Sequence, residues 1–302
     1  NASLSDLSEV TNLRVVLVTP SSVSVAWNRP PAVFDAYKLI FSTSGTSIGS
    51  CKNGTTLDPT VTQITCENLE SCTLFGVTVF TQKSSSFAEV SAGVTLNNIQ
   101  VPGKDPGPPL DITFNPIGPK STALHWSQPQ IVWESLGPYE VTVCANADSC
   151  PSSQQGGCHE EKRSATDLNL TTTPATNYCI VIHSTASCFG KIYKSQAAAK
   201  MFRTPAFAPG QFTVTATARS PTSIQLVIDP PKEKNGNLDG CTVQCSSSEN
   251  QRNANCTPDN LNIVVDGLTP GGQYTCSVTF YNIHEGKRLE TTQEVGAFTQ
   301  NG

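Results

Sequence analysis

Hydrophobic and polar residues alternate in a short pattern that occurs three times along this chain. It lies at residues 22–31, 121–129 and 223–231, and each copy ends in proline. Alternation with a period of two is typical of a strand with one buried face, and proline ends such a strand because it cannot donate a backbone hydrogen bond. Each copy therefore predicts a half-buried strand, and the large core residues near the ends of these strands are Trp27, Trp126 and Ile228.

The spacing of these strands indicates three modules of similar size. Trp27 and Trp126 are 99 residues apart, and Ile228 follows after 102 more, a length that supports one hydrophobic core. No helical period occurs in the first module, whose other predicted strands are residues 13–18, 36–41, 61–65, 74–80 and 87–96. Such a series of short strands is typical of an antiparallel sandwich.

The second and third modules repeat this series. Their other predicted strands are residues 139–143, 178–182 and 197–202 in the second module and 212–216, 241–245, 261–265, 274–280 and 290–298 in the third. The connecting segments 101–109 and 203–210 are rich in proline and glycine, so we expect short, stiff linkers and a rod with limited bending.

Composition argues against several classes of function. Charged residues make up 14% of the chain, against a usual value of about 25%, and the net charge is −5. A chain without a basic face is not expected to bind nucleic acid or anionic lipid. The four histidines lie in the second and third modules, in no catalytic or phosphate-binding motif, so we expect no enzyme, no catalytic residue and no cofactor.

Residues 158–161 carry metal-binding side chains in series, as Cys-His-Glu-Glu. Two interpretations are open, a metal site and an oxidised cysteine followed by a solvated turn. We favour the second and expect no metal.

The twelve cysteines indicate an oxidising compartment, because they do not form the paired spacings that hold zinc. Four glycosylation sequons agree with this, at Asn1, Asn53, Asn169 and Asn255. With no secretory leader and no apolar run of about 18 residues, we expect a mature secreted protein or an ectodomain whose membrane anchor lies outside this chain.

Several motifs resemble those of the fibronectin type III domain. The second strand of such domains carries a tryptophan, as at Trp27 and Trp126, and the sixth begins with a leucine, a turn proline and a tyrosine, as at residues 268–274. The second module has a partial form of this motif at Tyr178, and the first has Phe75 at the tyrosine position. The loop at residues 230–240 resembles the long loop between the second and third strands of such domains in cell-surface receptors, adhesion molecules and receptor phosphatases. The resemblance covers nearly the whole chain.

The resemblance implies an all-β chain of three tandem immunoglobulin-like sandwiches in an elongated array. The implied domains are residues 1–103, 104–205 and 206–302. The third module departs from the family in having Ile228 at the tryptophan position and Cys241 where a tyrosine is expected. The many cysteines are a further departure.

The family's topology also implies a disulfide pattern, since its third and sixth strands are antiparallel neighbours. On that basis we expect Cys144 to pair with Cys179 and Cys245 with Cys276. The remaining neighbours within modules would pair as Cys51–Cys66, Cys150–Cys158 and Cys241–Cys256.

Cys72 and Cys188 are then left over, one in each of the first two modules. In this family their loops lie at facing ends of consecutive domains, so a Cys72–Cys188 bond would lock the first joint. The alternatives are that one or both thiols are free or that the protein dimerises through them.

The resemblance implies a non-enzymatic extracellular module that binds an unidentified protein partner or acts as a spacer. The candidate contact loops of the third module contain Lys232, Glu233, Lys234, Asn235, His284, Glu285, Lys287 and Arg288. Segment 188–193 is a further candidate if the first joint does not bury it. Two alternatives are a soluble factor that masks a host or immune protein and a purely structural spacer.

Overall fold

The computed structural model describes residues 7–83, 89–130, 136–150 and 157–302. Within these ranges every regular element is a strand, and the 24 strands form seven antiparallel sheets. Asn1 and part of the predicted strand 87–96 lie outside the described residues. The predicted all-β fold is confirmed.

The first sandwich consists of two sheets that face each other across one core. Its strands are β1 (Thr11–Thr19), β2 (Ser22–Asn28), β3 (Ala36–Thr43), β4 (Thr55–Leu57), β5 (Gln63–Cys66), β6 (Thr73–Lys83), β7 (Glu89–Val90) and β8 (Val94–Val101). One sheet has the order β1-β2-β5; in the other, β3 lies between β4 and β6, and β6 also pairs with β7 and β8.

The second sandwich has the same arrangement and one additional hairpin. Its strands are β9 (Leu110–Gly118), β10 (Ser121–Ser127), β11 (Tyr139–Ala145), β12 (Cys158–Arg163), β13 (Asp167–Thr171), β14 (Asn177–His183), β15 (Thr185–Cys188), β16 (Lys191–Lys194) and β17 (Ala198–Arg203). The sheet orders are β13-β10-β9 and β12-β11-β14-β17, and β15 pairs with β16 as a separate hairpin.

The third sandwich repeats the same two sheets. Its strands are β18 (Thr213–Ser220), β19 (Ser223–Asp229), β20 (Gly240–Ser246), β21 (Gln251–Ala254), β22 (Asn262–Asp266), β23 (Gln273–His284) and β24 (Lys287–Phe298). The sheet orders are β18-β19-β22 and β21-β20-β23-β24. The last strand starts three residues before the predicted one, because β23 and β24 pair up to their turn.

The cores of the first two sandwiches are built around an aromatic pair. The ring of Trp27 meets that of Tyr37 edge-on at 5.3 Å, and Trp126 meets Tyr139 in the same way at 5.4 Å. Burial raises the pKa of both tyrosine hydroxyls. The alternating pattern in the sequence therefore located the central residue of each core correctly.

In the third core a disulfide lies beside Ile228. Cys245 and Cys276 face each other across β20 and β23, they are bonded, and both are fully buried in that core. Phe212 and Phe280 supply the edge-on aromatic pair here, with ring centroids 4.8 Å apart.

Six disulfides connect all twelve cysteines. Four of them join the expected partners: Cys51–Cys66, Cys72–Cys188, Cys241–Cys256 and Cys245–Cys276. The expected bonds Cys144–Cys179 and Cys150–Cys158 were wrong, because the structure has Cys144–Cys158 and Cys150–Cys179 instead.

The physical reason for this correction is a row of three cysteines across three strands. Cys144 on β11 lies opposite Cys179 on β14, as the register argument expected, but also opposite Cys158 on β12. The interpretation of segment 158–161 as a turn is wrong, because these residues belong to the edge strand β12, which brings Cys158 beside Cys144. Cys179 bonds instead to Cys150, which lies in the loop after β11.

Candidate partner-binding surface

The candidate loops of the third sandwich lie at the end that faces the second sandwich. One loop, residues 230–239, connects β19 and β20, and the other is the turn between β23 and β24. Glu285 and Gly286 in this turn have φ values of 49° and 76°, which define a tight two-residue hairpin turn of the kind that favours glycine. The side chain of Arg288 stacks on the ring of Tyr281, with its guanidinium carbon 4.0 Å from the ring centroid.

Asn282 connects the two loops through its fully buried side chain. Its Nδ2 donates to the carbonyl oxygens of Phe207 and Lys234, each at 2.8 Å. Its Oδ1 accepts a hydrogen bond from Leu238 N at 2.7 Å. One amide therefore joins the strand before the hairpin turn, the 230–239 loop and the linker to the second sandwich.

The linker is fixed to both sandwiches by hydrogen bonds. At its start, buried Thr204 receives a bond from Thr176 N at 2.9 Å and donates its hydroxyl to Thr173 O at 2.6 Å. At its end, Phe207 N donates to Asn235 O and Gly210 N to Glu233 O, at 2.9 and 2.8 Å. The candidate loop thus forms part of the joint between the second and third sandwiches.

Side chains also meet directly across this joint. Lys120 Nζ, from the turn between β9 and β10, is 2.9 Å from Glu233 Oε1. Both side chains are more than half exposed, at 69% and 56%, so this ion pair is accessible to solvent.

A cleft of about 250 Å³ opens at the joint beside the two loops. The second sandwich and the linker contribute Ala175, Arg203 and Ala206, and the third sandwich contributes Asp239, Ile283 and His284. Asp239 is engaged within the fold, since its Oδ2 accepts a hydrogen bond from Ile283 N at 2.6 Å. Ile283 is 49% exposed, an apolar side chain beside charged groups.

The structure brings the two predicted loops together in one surface. Lys232, Glu233, Lys234, Glu285, Lys287 and Arg288 are exposed, whereas Asn235 and His284 are half-buried. Asn235 Nδ2 donates to Ala208 O at 2.9 Å, which makes its side chain a support of the linker. Sequence reasoning missed Arg203 and Ile283, because nothing in the sequence indicated which residues of the joint face each other.

Segment 188–193, the third candidate, forms the turn of the β15–β16 hairpin at the first joint. Cys188 is buried and bonded to Cys72. Phe189 and Ile192 remain 43% and 70% exposed. The hairpin is therefore covalently held while part of its apolar surface faces solvent.

The described residues contain no cluster of three or more metal-binding side chains. In segment 158–161, Cys158 forms a disulfide with Cys144, so its sulfur is not a thiolate that could bind a metal. His159 Nε2 lies 3.5 Å from Glu161 Oε2, and Arg163 Nε lies 3.5 Å from the other oxygen of the same carboxylate. Arg163 and Glu161 thus form a surface ion pair on an edge strand, with His159 beside the same carboxylate.

The charged face of β11 and β16 contains one carboxylate with a shifted pKa. Lys194 Nζ makes a close ion pair with Glu140, and Lys162 lies 4.0 Å from the same carboxylate. The hydrogen bond from Lys194 is the main cause that lowers the pKa of Glu140, against a smaller opposing effect of burial.

Three of the four sequon asparagines lie in described residues, and all three are exposed: Asn53, Asn169 and Asn255. No helix in the described ranges has the length and apolar character needed to cross a bilayer.

The comparison with known families gives a match in the first and third sandwiches. A model of the fibronectin type III domain matches residues 8–96 and 207–295, together more than half of the chain. The tyrosine of the family motif has the same role in the second and third sandwiches. The hydroxyl of Tyr178 accepts a hydrogen bond from Thr173 N, and that of Tyr274 from Thr269 N, both at 2.8 Å.

Proposed function

Because the chain belongs to the fibronectin type III family, we propose that it is the ligand-binding part of a cell-surface receptor or adhesion protein. Domains of this family are typically non-catalytic modules that bind proteins or separate other domains. The six disulfides of this chain indicate an extracellular location. The proposal is that this chain has no enzymatic activity, needs no cofactor, binds no nucleic acid and reaches a membrane only through an anchor outside these residues.

We further propose that the second sandwich is a third repeat of the same domain. Its two sheets have the strand order of the other two sandwiches, and its Tyr178 makes the same hydrogen bond as Tyr274. The proposed domain boundaries are residues 1–103, 104–205 and 206–302.

The observation that carries the binding proposal is the ordered pair of loops at the second joint. Asn282 and the linker hold both loops in place, while the charged ends of Lys232, Lys234, Lys287 and Arg288 face solvent. A surface already held in one arrangement loses less conformational freedom when a partner binds. Loops on a rigid scaffold are where binding residues are commonly found.

A structural spacer is the second candidate function. The Cys72–Cys188 disulfide favours it, because a covalent lock between sandwiches fixes a distance and a direction. The proposed glycans at Asn53, Asn169 and Asn255 would be compatible with either function, since all three side chains are exposed.

Affinity capture from cell surfaces and from serum distinguishes these candidates. The intact chain should retain a specific protein, and a variant with Lys232, Lys234, Lys287 and Arg288 changed to serine should retain less of it. A matched variant with four exposed basic residues changed to serine elsewhere (Lys52, Lys83, Lys191 and Arg219) should behave like the natural chain. Absence of any retained protein would favour the spacer.

A further inference from the structure

The joint between the second and third sandwiches carries an excess of positive charge, although the chain as a whole has a net charge of −5. Arg203 lines the cleft, and the other cations of the joint lie on neighbouring segments: Lys120 in the β9–β10 turn, Lys232 and Lys234 in the 230–239 loop, and Lys287 and Arg288 at the start of β24. The anions there are Glu233, Asp239 and Glu285. The local charge is therefore opposite in sign to that of the whole molecule.

Of the three anions of this joint, Glu233 is paired with a cation, whereas Asp239 bonds to a backbone amide and Glu285 lies beside a histidine. Glu233 pairs with Lys120, and Asp239 accepts the hydrogen bond from Ile283 N. Glu285 lies 3.9 Å from the imidazole of His284. Among the residues that the structure describes, Lys232, Lys234 and Lys287 form no ion pair.

Arg203 lines the cleft itself. Its guanidinium donates to Asn177 Oδ1 at 3.1 Å, which orients the group without neutralising it. Because five N–H donors are available on this side chain, it retains donors for a carboxylate. A carboxylate that entered the cleft would therefore meet a charge-assisted hydrogen-bond donor.

The cleft also has an apolar part, formed by Ile283 with Ala175 and Ala206. Its volume of about 250 Å³ is below the range of about 300–1,000 Å³ that is usual for small-molecule sites. It suits one apolar side chain of a larger partner. Because the exposed basic side chains belong to two separate loops beside the cleft, they fit an extended segment rather than a compact ligand.

We propose that this joint binds an acidic segment of a protein partner, with one apolar side chain against Ile283 and flanking carboxylates near Arg203 and the loop lysines. This inference rests on the proposed function and specifies its partner. A sulfated glycan shares the negative charge, but it has no apolar group to place against Ile283. An acidic polypeptide supplies both features.

The probe for this proposal is a synthetic peptide in which aspartates flank a single leucine, and its matched peptide carries lysines instead of aspartates. Fluorescence anisotropy with the intact chain should show binding of the acidic peptide only, and this binding should weaken as salt is raised. Arg203→Ala should reduce its affinity by about five- to tenfold. Ile283→Ser should reduce the affinity as well.

Arg14→Ala is the matched control, because Arg14 is, like Arg203, an exposed arginine on a strand, and it bonds to Asn12 O within its own strand of the first sandwich. This change should leave the affinity unchanged. Equal affinities for the natural chain and the Arg203→Ala and Ile283→Ser variants would overturn the proposal. So would binding of a heparin fragment at this joint with no binding of the acidic peptide.

The two levels of the proposal fail in different ways. A captured protein whose retention is unaffected by Arg203→Ala together with Ile283→Ser would overturn the acidic-segment inference and leave the binding function in place. Failure to capture any protein would overturn the binding function itself.

Discussion

At the scale of single residues, Glu140 shows how an ion pair changes the pKa of a side chain in this protein. Its carboxylate lies between Lys194 of the β15–β16 hairpin and Lys162 of β12. The pKa of Glu140 is lowered chiefly by the hydrogen bond from Lys194. The pair thus connects the additional hairpin to the sheet of the second sandwich.

Lys194→Met is predicted to raise the pKa of Glu140 towards its ordinary value. Because the folded pKa lies below the unfolded one, the pair stabilises the fold above the unfolded pKa, and this stabilisation is lost as the pH falls through the folded pKa. Titration of the Glu140 carboxyl carbon by NMR measures the shift directly. Lys191→Met serves as the control, since Lys191 lies over the ring of Tyr193, and an equal effect of both variants would contradict the assignment.

Among the elements, the loops of the third sandwich depend on a single buried amide. Asn282→Ala would leave Leu238 N and the carbonyl oxygens of Phe207 and Lys234 without their partner. We expect a loss of about 1–3 kcal/mol in the free energy of unfolding of the third sandwich. Hydrogen exchange of the β23 amides measures this loss.

Asn115→Ala, at an exposed position of β9, is the control for that substitution and should change little. If Asn282→Ala left the exchange of β23 unaffected, the central role of this amide in the joint would be refuted.

The strands that were predicted from the sequence have an apolar face, although β9 and β13, which also have one, were not among the predicted strands. Alternation located β2, β10 and β19 because each has one side in a core. β12 is a charged edge strand, and β15 and β16 are four residues each, so none of them gives a clear period. The missed β12 is what led to the two wrong disulfides.

The alternation along each strand also indicates on which face of the sheet a cysteine lies, and the disulfide predictions did not use it. Cys245 and Cys276 alternate with exposed residues and point into the core. In β14, Ile180 and Ile182 point into the core, so Cys179 must lie on the other face.

The candidate site was predictable only in part. Its loops could be recognised as turns in the sequence, but the contacts across the joint could not.

In the whole molecule, the two joints are built differently. A disulfide, Cys72–Cys188, joins the sandwiches at the first joint. At the second joint, hydrogen bonds hold the linker, and the exposed ion pair Lys120–Glu233 connects the two sandwiches. Changing Cys72 and Cys188 to serine should therefore broaden the distribution of distances between spin labels on the first and second sandwiches. Each sandwich should keep its own stability.

The matched control is the change of Cys51 and Cys66 to serine, which removes a bond inside the first sandwich. That variant should keep the narrow distance distribution of the natural chain. An unchanged distribution in the Cys72 and Cys188 variant would mean that non-covalent contacts suffice to hold the first joint.

The Cys72–Cys188 bond also determines how the chain would carry mechanical load. When the two ends are pulled apart, tension passes from Cys72 directly to Cys188, and the residues between them are bypassed. Nearly all of the second sandwich, from β9 to β14, and the last strands of the first would then bear no force. Reduction of the bond would return 116 residue steps to the load path, at most about 400 Å of extended chain. Because β16 and β17 follow Cys188 and stay in the load path, a pulling experiment should extend only these strands of the second sandwich while the bond is intact, and β9 to β14 should extend only under reducing conditions.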